Sequence, residues 1–149
     1  MTQGPQSWKD SHGGRLQAIV EVVQAAGHHT LKHFRTSNLT VDAKADDSPV
    51  TIADREAEQL VRNLLAERFP EDTLQGEEFA DQSGTSDYRW IVDPIDGTKS
   101  FICGVPLYST LLAVEHEGKA LAGAIFIPAL GELLVAAIDR KSTRLNSSH

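Results

Sequence analysis

The chain has 149 residues, of which 40% are hydrophobic, enough for one domain with its own core. A net charge of −7 argues against nucleic acid as a partner, and no stretch reads as a signal peptide or a membrane span. Cys103 is the single cysteine, so no internal disulfide is expected, in keeping with a reducing, cytoplasmic compartment.

Residues 1–14 are polar and glycine-containing and are expected to fray. From there Leu16, Ile19, Val20, Val23, Ala26, Thr30, Leu31 and Phe34 recur at helical spacing. Gly27 costs such a helix about 1 kcal/mol against alanine, so its presence implies a close contact with another element. His29 and His33 lie four apart and share a face. With no third ligand evident beside them, they read as surface residues rather than as a metal site.

Residues 37–47 read as a linker or hairpin, with Leu39 and Val41 alternating with Thr40 and Asp42. A second helix follows Pro49. Thr51 and Asp54 make a capping-box-like pair at its start, and Phe69-Pro70 ends it. Ile52, Ala57, Leu60, Val61, Leu64 and Leu65 form its apolar stripe. Asp54, in the first turn, also offsets the helix dipole. Glu71-Asp72-Thr73 is a turn, and Leu74-Gln75 leads into Gly76-Glu77-Glu78. Residues 79–89 are polar and read as a flexible loop.

The most informative stretch is 90–101, W-I-V-D-P-I-D-G-T-K-S-F. A short apolar strand, Trp90-Ile91-Val92, ends in Asp93 and Asp96 with Pro94 between them. Taken alone this is an ordinary turn. With acidic Glu77 and Glu78 upstream, it becomes a set of oxygen donors of the kind Mg²⁺ prefers. Gly97 and Thr98 add bare backbone N–H groups suited to an anion. Metal beside an anion pocket suggests phosphate chemistry. A short helical turn is expected through Phe101. Three strands then follow, at 107–115, 120–127 and 132–138, with turns at Glu117-Gly118 and 128–131.

Residues 139–149, D-R-K-S-T-R-L-N-S-S-H, carry no apolar pattern. They equal the in-frame translation of a common short-read sequencing adapter, and are set aside as a non-native tail. Without them the charge moves from −7 to −9, since three basic residues and one acid are lost. On this reading the natural protein is longer.

Gly76-Glu77-Glu78 followed by Asp93-Pro94-Ile95-Asp96-Gly97-Thr98 resembles the inositol monophosphatase-like family of Mg²⁺-dependent phosphatases. Ser48-Pro49-Val50-Thr51-Ile52-Ala53-Asp54 with Glu56 and Glu58, and Lys99-Ser100-Phe101 before Gly104-Val105-Pro106, are most similar to its histidinol-phosphatase branch. The resemblance covers about 16–138. It implies an α+β fold, the amino-terminal part of a layered αβαβα sugar-phosphatase fold, with two helices on an antiparallel sheet over 15–138. The implied reaction is hydrolysis of histidinol phosphate, a step of histidine biosynthesis, by metal-activated water.

The resemblance also implies residue roles. Asp93 would bridge two Mg²⁺ ions about 3.5–4 Å apart. Glu77 and the carbonyl of Ile95 would complete the first site, and Asp96 would serve the second. Glu77 and Thr98 would hold the water, with Asp54 behind Thr98. Gly97 and Thr98 would cradle the phosphate, where a side chain at 97 would crowd it. Lys44 is either a neighbour of the metals or a solvated charge. A homodimer is implied for the parent protein. The family's Trp-Asp motif is missing, because Trp8 precedes Lys9 and Trp90 precedes Ile91. The chain as written is therefore expected to hold a partial metal site with little turnover. Alternative readings are an inositol monophosphatase or an adenosine 3′,5′-bisphosphate phosphatase, and, outside the enzymes, a non-catalytic metal-binding or oligomerising fragment.

Overall fold

The computed structural model describes residues 12–37, 39–44, 49–138 and 143–146, the last four and 49–50 by backbone alone. Helix α1 spans Arg15–Thr30 and α2 spans Ile52–Arg68. A short helix, α3, spans Thr98–Ile102. Strands β1 (Val41–Ala43) and β2 (Pro49–Thr51) form a small antiparallel pair ahead of α2. The main sheet has six strands in sequential order: β3 (Thr73–Gly76), β4 (Tyr88–Asp96), β5 (Ser109–His116), β6 (Lys119–Ile127), β7 (Glu132–Ala137) and β8 (Thr143–Asn146).

The α+β expectation, two helices on an antiparallel sheet, describes this architecture with one refinement. β3 runs parallel to β4, whereas every other pairing in the sheet is antiparallel. Both long helices lie on one face. Ile19, Val22 and Val23 of α1 and Ala57, Val61 and Leu65 of α2 close on Trp90, Val92, Leu112, Val114 and Phe126. The opposite face carries Ile91, Leu111, Ala113, Ile125, Leu134 and Ala136, which line a shallow groove. Alternation along each strand produces the two faces.

Several local expectations are corrected. Ile52 is exposed, and the stripe of α2 is Ala53, Ala57, Val61 and Leu65 at strict four-residue spacing. Thr51 caps α2, so Ile52 at the first helical position points away from the sheet. Of the 1–14 stretch expected to fray, residues 1–11 lie outside the described residues. His12, however, bonds through Nδ1 to the Tyr88 hydroxyl at 2.9 Å. The 79–89 loop is pinned rather than free. Leu74 and Gln82 exchange two backbone hydrogen bonds, and the N–H groups of Thr85 and Ser86 reach the Glu71 carbonyl. Tyr88 and Arg89 belong to β4. Within 139–149, the backbone of residues 143–146 pairs with β7; the rest of that tail is outside the described residues. Gly27 is the expected close contact, as an added Cβ would lie 2.3 Å from the Phe126 ring.

Candidate active site

Asp93 and Asp96 lie near the end of one nine-residue strand, not on a proline turn after a short one. Residues three apart on a regular strand face opposite sides. Here the pairing to β5 shifts between Asp93, opposite Leu111, and Asp96, opposite Ser109. That bulge contributes one extra residue, which brings the second carboxylate round to the side of the first. Pro94 sits within it, where the missing N–H breaks no ladder bond. Its carbonyl accepts the buried hydroxyl of Thr110 at 2.8 Å, which holds the bulge in place.

Beyond the bulge the chain turns at Gly97, whose φ of 85° lies in the left-handed region. Conformation alone therefore favours glycine there. A Cβ at this position would meet no protein atom closer than 3.9 Å. Thr98 opens α3 with its hydroxyl 3.2 Å from Asp54 Oδ1 and 3.2 Å from the Ile95 carbonyl, two acceptors that share its one proton.

Asp54 is fully buried and occupied on both oxygens. Oδ2 accepts the Thr51 N–H at 2.8 Å and the Thr51 hydroxyl at 2.6 Å, so the expected capping box is present. The first turn of α2 is thereby tied to the start of α3. Gly76-Glu77-Glu78 arrives from the end of β3, beside β4. Lys44, just after β1, reaches Glu78 Oε1 at 2.8 Å. Burial opposes the Lys44 charge, but Glu78, Glu77 and Asp54 outweigh it and raise its pKa.

These segments enclose a cleft of about 330 Å³ lined by Lys44, Glu77, Asp93, Ile95, Asp96, Gly97, Thr98 and Lys99. Of the sequence-derived site residues, Asp54 alone stands behind the lining, in contact through Thr98. Negative charge is crowded here. Burial, then the neighbouring charges of Glu77 and Asp96, push the Asp93 carboxyl up to about 7 against the opposing Lys44. An all-oxygen donor set whose charges repel one another is what a hard divalent cation relieves, so these residues fit such an ion.

Glu58 is the residue whose part the sequence concealed. It is fully buried on α2, and both its oxygens receive the Glu78 N–H at 3.2 Å. Arg62, one turn on, stands 3.6 Å from it. Its position four residues after Asp54, on the same helical face, was the available clue. His29 and His33, read as lacking a third ligand, both contact Glu56.

The inositol monophosphatase family model matches residues 15–147. The chain is 50% identical over 121 residues to a histidinol-phosphatase of Chlorobaculum parvum, covering 81% of this chain and 47% of that protein. It is 37% identical over 123 residues to an inositol-1-monophosphatase of Rhizobium meliloti, covering 81% and 46%. The crystal structure of the extragenic suppressor protein suhB from Bartonella henselae superposes with a TM-score of 0.84 at 31% identity, over 89% of this chain and 52% of that one. Family model, relatives and fold agree on one class, the inositol monophosphatase family, and the relatives include phosphatases. The chain belongs to the inositol monophosphatase family. It spans about half the length of the curated relatives it matches.

Proposed function

We propose that this chain is part of an Mg²⁺-dependent, cytoplasmic phosphatase acting on histidinol phosphate. The observation that carries the reaction class is the convergence of Glu77, Asp93 and Asp96 on one cleft with Thr98 hydrogen-bonded to Asp54. The 50% identity to a histidinol-phosphatase favours that substrate over inositol phosphate.

Asp93 and Glu77, with the Ile95 carbonyl, would hold one cation, and Asp96 would serve a second. Bound there, the metal supplies charge to draw in the phosphate and to acidify water. The protein's own groups do the orienting. Asp54 accepts the Thr98 proton, which leaves the Thr98 oxygen free to accept from a water in the cleft. Glu77, which lines the same cleft, would be the second acceptor for that water. The N–H groups of Gly97 and Thr98 would receive phosphate oxygens, and Lys44 adds positive charge at the rim. No Trp-Asp dipeptide is present to contribute a further carboxylate. We therefore expect the chain alone to bind the cation incompletely and turn over slowly.

The test is Mg²⁺ titration calorimetry on the chain and on Glu77→Gln/Asp93→Asn, with phosphate release from histidinol phosphate, inositol phosphate and adenosine 3′,5′-bisphosphate. Mg²⁺ binding that survives the double substitution sinks the assigned site. Preferential release from a substrate other than histidinol phosphate sinks the substrate assignment.

A further inference from the structure

At the end of α1, away from the acidic cleft, three side chains converge on one point. His29 lies in the last turn of α1, and His33 in the tight turn that continues it, where the His33 N–H reaches the Thr30 carbonyl. Glu56 comes from the start of α2. Its Oε2 lies 2.8 Å from His29 Nε2 and 2.7 Å from His33 Nε2. All three candidate ligand atoms lie within 4.8 Å of one another. The imidazole planes are tilted by 56°, with centroids 6.2 Å apart, so the rings aim inward instead of stacking.

We propose that His29, His33 and Glu56 form a binding site for a borderline-soft divalent transition metal, Zn²⁺ in the first instance, that clamps the end of α1 to the start of α2. The donor chemistry decides the ion. Two imidazole nitrogens and one carboxylate oxygen make a set that suits zinc, whereas Mg²⁺ favours the all-oxygen set of the cleft. Three protein ligands leave a fourth position for water. Zinc–ligand distances of about 2.0–2.2 Å put tetrahedral ligands about 3.3 Å apart. Opening the present contacts by about half an ångström admits the ion. The side chains can move that far, being 23%, 24% and 40% exposed.

The site is independent of the cleft, although Glu56 is two residues from Asp54. Two helical residues subtend about 200°, so the carboxylates leave opposite sides of α2. Asp54 is buried against Thr51 and Thr98. Among the described residues a second group, Asp87, His116 and Glu117, also gathers ligand atoms within 4.8 Å. Two of its three members are exposed and it offers one imidazole, so it serves as the control.

The experiment is Zn²⁺ titration calorimetry on the whole chain in saturating Mg²⁺, with thermal melts, for wild type, His29→Gln, His33→Gln, Glu56→Gln and His116→Gln. One Zn²⁺ per chain is expected, with a rise in Tm on binding. Affinity should fall at least tenfold in each of the first three variants and stay unchanged in His116→Gln. Co²⁺ should give the visible absorption of a four-coordinate nitrogen–oxygen site, lost in His33→Gln. Far-ultraviolet circular dichroism establishes that each variant is folded, and the Co²⁺ spectrum of the wild type is informative whatever the variants do. Zn²⁺ binding that Mg²⁺ displaces, or that persists at wild-type strength in His33→Gln and Glu56→Gln, overturns the proposal. So does the absence of both Zn²⁺ binding and a Co²⁺ band, which would leave the cluster a metal-free ion pair.

Discussion

A Cβ on residue 76 would lie 1.7 Å from Oε1 of Glu58, so the glycine of Gly76-Glu77-Glu78 is the room in which a buried carboxylate sits. Glu58 in turn receives the Glu78 N–H. Burial raises its pKa, and the backbone N–H groups and Arg62 oppose that rise. Gly76→Ala must displace Glu58 and the backbone it supports. It should cost about 1–3 kcal/mol, as overpacking does, measured by urea denaturation. It should also weaken Mg²⁺ binding, because Glu77 rides on the same backbone. Wild-type stability in Gly76→Ala would contradict this.

Gly27→Ala sets two effects against each other. Helix propensity favours alanine by about 1 kcal/mol. Against it, the new methyl would lie 2.3 Å from the Phe126 ring and 3.0 Å from Pro128. Phe126 is fully buried and cannot swing away. The contact should win, with a net loss of about 1–2 kcal/mol. A rise in Tm would show that α1 shifts outward at little cost.

Asp72 is expected to contribute to acid stability. It receives two bonds from Arg15, at 2.8 and 2.7 Å, one from the Ser86 hydroxyl at 2.7 Å and one from Trp90 Nε1 at 2.8 Å. Burial disfavours its charge, but these bonds outweigh burial and hold the carboxyl below its usual range. Folding lowers this pKa. The stabilisation is therefore complete above about pH 3.9, the unfolded value, and is lost as pH falls through the folded value. Asp72→Asn should cost about 3 kcal/mol near neutrality, because Arg15 loses its partner. It should also flatten the fall in urea midpoint below about pH 4.

Asp93→Asn separates stability from metal binding. Burial, with Glu77 and Asp96, raises this carboxyl to about 7, so folding favours its neutral form. The metal-free chain loses that contribution as pH rises from about 3.9 through about 7. The variant should therefore melt at a higher temperature than wild type in alkaline, metal-free buffer, and no higher in acid. It should also lose the Mg²⁺-dependent rise in Tm that wild type shows. An Mg²⁺ response equal to wild type would remove Asp93 from the metal site.

What the amino-acid sequence determined by itself is local or repeated along one element. The capping pair Thr51–Asp54, the Glu117–Gly118 hairpin turn and the helical start at Thr98 each depend on neighbouring backbone, so three or four residues are enough to read them. The acidic motifs 76–78 and 93–98 were legible because donor chemistry is carried by residue type. The resemblance they carry reached the family, and the family's fold came with it.

Tertiary structure alone decided the contacts between elements distant in sequence. Periodicity marks a residue as facing inward but does not say what it meets. Glu58 belonged to the resemblance but had no role of its own until β3 brought Gly76 against it. His29 and His33 looked unpartnered because Glu56 lies more than twenty residues on. Asp93 and Asp96 share a side only because pairing with β5 inserts a bulge. Residues 79–87 looked like a free loop because the Glu71 carbonyl that anchors them is upstream. In each case the deciding energy is a hydrogen bond or a steric contact across the chain, and it exists only once the sheet and both helices have closed.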